Sequence, residues 1–394
     1  MKKLVKTDAR PLHQQLKVLI QGRIEKGEYQ FGARIPSTAE LCVHFQVSTT
    51  TVRRAISELV AGGFLKGMPG KGTFISYTEK EGGSKKGNGK GLIGVVFPEI
   101  ASGNPFFSEI FKGIEHNLSP FGYHLVTATS NFSTKKQNED LLILKEKGVE
   151  GIIMVPATTK LAPSSTQVLE KLHQEKFPLV FIDIEISGIP VDYITTDNAT
   201  GGYAATSYLL KLGHRRIAFI MGIEANTIQE RLKGYQRALS EFNSPVDEML
   251  LKFMHVDLEQ EQSGYRNTLE LLHLVSPPTA IFACNDRVAL GVYRACHQLG
   301  VKIPGDLSVI GYDNLFYSDY LVPPLTTIHQ PKYEMGQKAA ELLVRRISGG
   351  KDAPEQIVLQ NHLVERSSCS KPRKEVVKLK NSFIGKEGRT AVIK

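Results

Sequence analysis

The chain has 394 residues, enough for two or three domains that each bury their own core. Apolar residues make up 41% and charged residues 23%, as in ordinary soluble globular proteins, and no run reaches the ~18 apolar residues of a membrane span. The net charge of +9 is unevenly spread, roughly +9 over residues 1–90, −6 over 91–370 and +6 over 371–394, which indicates a polyanion partner for the head; without a spanning run, no membrane partner is expected.

The first residues, MKKLVKTDARPLHQQL, are basic and lack an apolar stretch of signal-peptide length, so a cytoplasmic protein is expected. Cys42, Cys284, Cys296 and Cys369 show no CxxC spacing and suggest neither a disulfide framework nor a metal site. Leu12, Leu16, Leu19, Ile20 and Ile24 fall at helical spacing. IPSTAELCVHF begins a second helix, with Ser37 or Thr38 as its cap. After the short turn QVS, TTTVRRAISELVAGGFL gives a third helix with Val52, Ile56 and Leu59 inward and Gly62-Gly63 at its end. Two short helices across a tight turn are helix-turn-helix grammar. The second opens with Ser48, Thr49, Thr50 and Thr51, followed by Arg53 and Arg54, as a DNA-reading helix would.

FLKGMPGKGTFIS then reads as strand (64–68), turn and strand (73–76). Lys71 and Gly72 sit at a tip without bulk, suited to a phosphate backbone or a minor groove. A phosphate-binding P-loop fails here, because Lys71 is followed by Gly72 and the order is helix before, strand after.

PLHQQL, IPSTAEL, VSTTTVRRAISELVAGGFL and GKGTFIS, in that order, resemble the winged helix of the GntR regulators over residues 10–76. The resemblance implies that the third helix enters the major groove of double-stranded DNA and the wing an adjacent minor groove. By position it implies contacts from Thr50, Thr51 and Arg53, with Lys71 and Gly72 at the wing. Thr49 stands where the family usually has arginine, and Ala39 where some members have another. An arginine fork reads guanine, whereas a threonine methyl touches thymine or its hydroxyl a phosphate, so an operator unlike the family's usual one is expected.

Residues 77–91, YTEKEGGSKKGNGKG, read as a flexible linker. Gly89, Gly91 and Gly94 spell GxGxxG, but this run leads into a strand rather than opening a helix, so no dinucleotide site is expected. From Leu92 onward, apolar runs (LIGVVF, HLVTATS, GIIMVP, PLVFIDI, RIAFIMG, AIFACND, LSVIGYD) alternate with amphipathic helical stretches. This βαβ rhythm predicts parallel sheets covered on both faces, with ligands at the carboxyl ends of the strands. Polar residues collect there: Asn104 beside Phe106, Ser130 with Asn131, Asp183, Asn285 with Asp286, and Asp313 with Asn314. Helix capping competes for each of them, and Asp286 reads as a cap for the helix from Arg287. Together, carboxylates, amides, an arginine and aromatic rings are what a polyhydroxyl ligand requires, since each hydroxyl donates and accepts while the ring face stacks on Phe.

NPFFSEIFKGIEHNLSPFGY, GVEGIIMVP, FIDI, LGHRRIAFIMG, QERLKGY, FACNDRVALGVYRACHQLG, SVIGYDN and LTTIHQP resemble the LacI/GalR regulators and periplasmic sugar-binding proteins over residues 92–367. That resemblance implies two α/β lobes on a three-strand hinge with a sugar between them. By position it implies contacts from Asn104, Phe106, Asp183, Arg231, Asn285, Asp313 and Gln330. Ile184 stands where the family often has arginine. Asn131 is added from its strand-end place alone.

The expected fold is therefore α/β: an N-terminal winged helix-turn-helix (1–76), a linker (77–91) and a two-lobed periplasmic-binding-protein-like effector domain with Rossmann-like lobes (92–367). A basic tail without periodicity (368–394) is expected to be disordered. The combination resembles the arabinose repressor group and implies a sugar-controlled repressor. A homodimer is expected, because one winged helix contacts only a half-site. No GxSxG, HExxH or cofactor motif is present, so no enzyme, cofactor or metal is expected.

Overall fold

A computed structural model describes residues 11–25, 34–61, 64–68, 72–75, 91–99, 104–157, 163–186, 188–222, 225–255, 258–350 and 352–373. The chain divides into two compact units, Met1–Gly87 and Asn88–Lys394. No helix among the described residues is long and apolar enough to cross a membrane.

In the first unit, α1 (Leu12–Glu25), α2 (Thr38–Phe45) and α3 (Thr49–Ala61) precede the antiparallel pair β1 (Leu65–Met68) and β2 (Gly72–Ile75). Leu16, Ile20 and Ile24 of α1 meet Leu41, Val52, Ala55 and Leu59, and Leu65 and Ile75 of the hairpin close this core. Ser37 caps α2 while the Glu40 carboxylate accepts from the Ser37 amide at 2.6 Å, a reciprocal capping box. Gln46, at φ 53°, ends that helix in the left-handed conformation, so the chain can turn at once into α3.

The second unit begins with β3 (Leu92–Phe97), α4 (Pro105–Leu118), β4 (His124–Thr129), α5 (Thr134–Glu146), β5 (Val149–Met154), α6 (Pro163–Gln174), β6 (Leu179–Ile182) and β7 (Asp192–Thr196). It continues with α7 (Asn198–Leu212), β8 (Ile217–Ile220), α8 (Asn226–Glu241), β9 (Leu251–Lys252), α9 (Gln260–Leu272), β10 (Ala280–Ala283), α10 (Asp286–Leu299), β11 (Ser308–Asp313) and β12 (Thr326–His329). The last elements are α11 (Lys332–Ile347), β13 (Gln356–Leu359) and β14 (His362–Val364). Two six-stranded sheets result, β13-β7-β6-β5-β3-β4 in the first lobe and β14-β12-β11-β10-β8-β9 in the second. Their central strands are mostly apolar runs, such as β6 (LVFI), β8 (IAFI) and β10 (AIFA), as burial of both faces demands. Only β14 runs antiparallel to its neighbour.

The chain passes between the lobes after β7, after β12 and between β13 and β14. Side chains stitch these crossings together: Thr196 donates to the Gln330 side-chain carbonyl at 2.6 Å, and the Asn361 amide donates to the Asp197 carbonyl at 3.0 Å. Helices pair in the same manner in both lobes. A Cβ at Gly202 (α7) would lie 2.2 Å from the Arg231 carbonyl oxygen of α8, one at Gly291 (α10) 2.1 Å from that of Glu261 in α9, and one at Gly336 (α11) 2.0 Å from that of Ile110 in α4. Packed structure runs past the expected boundary at 367. Ser368 is fully buried, its hydroxyl donating to the Val309 carbonyl at 2.6 Å and accepting the Thr326 amide at 2.8 Å.

Candidate functional site

The head presents one face of α3. Val52, Ala55 and Leu59 point into the core at helical spacing, which turns Thr49, Thr50, Arg53 and Arg54 to solvent. Ser48 caps the helix, its hydroxyl accepting the Thr51 amide at 3.2 Å and lying 2.9 Å from the Thr51 hydroxyl. These two hydroxyls are thus engaged in holding the helix start. Arg54 lies 3.7 Å from Glu58, which also sits 3.4 Å from both His13 and Lys17. Arg53 has no ion-pair partner among the described residues, which leaves its fork available. Gly72 opens β2 opposite Met68; Lys71 lies outside the described residues.

Between the lobes of the second unit lies a cavity of about 110 Å³. Asn104, Phe106, Asp183, Arg231, Asn285, Asp313 and Gln330 line it, so seven of the eight ligand candidates converge. Asn131 does not: it is exposed, and the neighbouring Phe132 lines the cavity instead. Both residues have left-handed backbones, at φ 50° and 57°, and this double turn exchanges which side chain faces the cleft.

Capping and lining coincide at two positions. Asn104 caps α4 through the Phe106 amide at 3.1 Å, and Asn285 caps α10 through the Val288 amide at 2.9 Å. The Asn285 amide also donates to Gln260 at 2.5 Å. Asp286 is not the cap. Its buried carboxylate accepts from the Leu315 amide and from the Ser318 and Thr327 hydroxyls at 2.7–2.8 Å, and so fixes the loop behind Asp313. Burial pushes its carboxyl up to about 7, with nearby Asp313 adding to the rise.

Arg231 is almost fully buried and stacks on Tyr312, its guanidinium carbon 3.7 Å from the ring centroid. Its Nε donates to Asn198 at 2.8 Å and its Nη1 to the Cys284 carbonyl at 2.7 Å, with Asp313 at 3.8 Å. Gln330 donates to Asp313 at 2.7 Å while accepting from Thr196. Gln330 therefore links the hinge to the acid. Asp183 Oδ1 is shielded from solvent and has no hydrogen-bond partner. Burial raises the Asp183 carboxyl to about 6, opposed by Arg231 and reinforced by Asp313. Burial likewise raises Asp313, against the pull of Arg231. A buried acceptor lacking a donor costs stability unless a ligand supplies one.

At the rim, Arg287 of the second lobe reaches Glu99 of the first at 2.9 Å while holding Glu261 at 2.7 Å. Asn104 donates to the same Glu99 oxygen at 2.6 Å. This ion pair spans the cleft and is tied directly to a lining residue. Arg287, Gln260, Thr227 and Phe132 are lining residues that sequence reasoning did not single out. Gln260 and Thr227 lie in the first turns of α9 and α8, and no strand-end signal marks them. Among the described residues no group of His, Cys, Asp and Glu converges as a metal site.

Residues 12–75 match the family described as bacterial regulatory proteins, gntR family, and residues 206–369 match a periplasmic binding protein-like domain. The HTH-type transcriptional regulator DegA of Bacillus subtilis is 36% identical over 71% of this chain and 81% of its own length. The ribose operon repressor of Haemophilus influenzae is 34% identical over 82% of this chain and 95% of its own. A LacI family transcriptional regulator from Enterococcus faecium, solved with bound ribose, is 33% identical, with a TM-score of 0.62 over 72% of this chain and 100% of that one. The transcriptional regulator CelR in complex with cellobiose is 28% identical, with a TM-score of 0.63 over 82% and 92%.

Proposed function

The chain belongs to the LacI family of transcriptional regulators, with a gntR-type head, and from that premise we propose a repressor whose grip on double-stranded operator DNA is set by a small sugar held between its lobes. The observation that carries this reading is the meeting of seven sequence-read polar and aromatic residues in one interlobe cavity. Asp183 and Asp313 accept sugar hydroxyls, Arg231, Asn104 and Asn285 fix their orientation, and Phe106 stacks on the ring. The saccharides bound in two similar structures support a ligand of this class.

On the DNA side, Thr50 and Arg53 read base edges, Thr49 and Arg54 meet the backbone, Ser48 and Thr51 hold the helix start, and Lys71 and Gly72 form the wing tip. Residues 1–76 are the reader, 77–91 the join, and the sensor extends from 92 to about 373 before the basic tail. The protein acts as a cytoplasmic homodimer, since a near-palindromic operator needs two recognition helices. Sugar binding favours the closed lobes, and operator affinity shifts only by the difference in sugar affinity between the two forms.

Calorimetric titration of the full chain with pentoses, hexoses and disaccharides tests the sensor. Saturable binding by at least one sugar is expected, weakened about a hundredfold or more in the Asp313→Ala variant. Binding unchanged in that variant would remove the cleft from the account.

A further inference from the structure

The apolar part of the cavity is continuous across the gap between the lobes. Ile184, directly after Asp183, packs against the core cluster that holds Val155 and Phe106 in the first lobe. It also packs against the cluster that holds Ala225 and Ile228 in the second. Among the described residues no other partly buried side chain joins both clusters. All five of these residues line the cavity. A hydroxyl placed against this wall would lose its water and gain no partner, whereas a methyl or methylene carbon would complete the apolar contact.

The charges point to an uncharged ligand. Two of the three Arg231 nitrogens are already engaged by Asn198 and the Cys284 carbonyl. Arg287 is taken up by Glu99 and Glu261. The buried Lys332 ammonium donates to the carbonyls of Asp313, Asn314 and Gln330. A single Arg231 nitrogen is left to face a phosphate, and two carboxylates, Asp183 and Asp313, would oppose it. The unpartnered Asp183 oxygen calls instead for a hydroxyl donor.

Resting on the sugar-effector reading above, we propose that the effector is an uncharged deoxy monosaccharide, with its hydroxyls on Asp183, Asn104, Asn285 and Asp313 and its deoxygenated carbon against Ile184. The full-length protein is titrated calorimetrically with matched pairs: 2-deoxy-D-ribose and D-ribose, L-fucose and L-galactose, L-rhamnose and L-mannose. D-ribose 5-phosphate is added as a charged probe. One deoxy sugar is expected to bind about ten- to a hundredfold tighter than its hydroxylated counterpart, the range one apolar contact allows. Ile184→Asn, which sets an amide on the wall, is expected to bring that ratio down to about one. A fully hydroxylated sugar or the phosphate as the tightest wild-type ligand overturns the proposal and leaves the sugar-effector reading standing. An unchanged ratio in Ile184→Asn overturns the assigned seat; should that variant not fold, the wild-type ratios alone decide. If no sugar of any kind binds, the effector reading falls and takes this inference with it.

Discussion

At Asp183 the backbone takes φ 67°, and Asp313 and Asn314 follow at 104° and 53°, a left-handed region that costs a residue with a Cβ about 1–3 kcal/mol. Three such residues on the cavity side of two strand ends are held in place by the rest of the fold, with Lys332 clamping the carbonyls around Asp313. Because burial raises the Asp183 carboxyl to about 6, ligand affinity inherits a pH dependence whose sign is fixed by chemistry. Sugar hydroxyls donate to the ionised form, so affinity is full above that value and falls roughly tenfold per unit below it. Titrations between pH 7.5 and 5 check this. Asp183→Asn is expected to bind weakly with a flat profile, and a flat wild-type profile would contradict it. The acids were legible in the sequence because Asp and Asn collect at the carboxyl ends of strands in a βαβ rhythm, although helix capping competed for each of them. Asn131 misled for a physical reason: residue type cannot reveal a double left-handed turn that leaves Asn131 off the cavity and sets Phe132 on its lining. Asp286 misled similarly, since Asn285 took the cap and left Asp286 free to serve the loop at Leu315.

Among the elements, α3 is the proposed reader of DNA. Arg53→Ala is expected to weaken operator binding by about 1–3 kcal/mol and to relax preference at one base pair. Competition binding against single-base operator variants measures this; an equal loss on every sequence would make Arg53 a backbone contact. Helix pairing sets the stability of the sensor. A methyl at Gly202 would meet the Arg231 carbonyl oxygen at 2.2 Å, forcing α7 from α8 at a cost of about 1–3 kcal/mol or more. The helix bearing Arg231 would move with it. Gly202→Ala is therefore expected to lower the melting temperature by several degrees and weaken sugar binding, both read by thermal shift with and without ligand. An unchanged melting temperature would show that the helices separate at little cost. Such crossings were not legible, because glycine within a helix announces a close approach without naming its partner.

For the whole molecule, the two-unit plan was legible from charge partition and from the change in period at Leu92, where helical spacing gives way to buried strands. What escaped was the closing of each lobe. Polar strands such as β7 (DYITT) and β12 (TTIH) carry no strong apolar signal, and β13 and β14 join sheets whose other strands lie far back in the chain. Only the fold reveals that Thr196, Gln330 and Asp313 form one connected chain from hinge to cavity. On the proposed reading, it is through that chain, and through the Glu99–Arg287 pair across the rim, that an occupied cavity would shift the balance between open and closed lobes. The most direct measurement is fluorescence anisotropy of the full-length protein on an operator fragment selected from random duplexes, with and without a saturating sugar already known to bind. Operator affinity is expected to change about tenfold or more, and Asp183→Ala to keep the sugar-free affinity while losing the change. A sugar that binds with no effect on operator affinity would contradict the coupling of cleft to DNA.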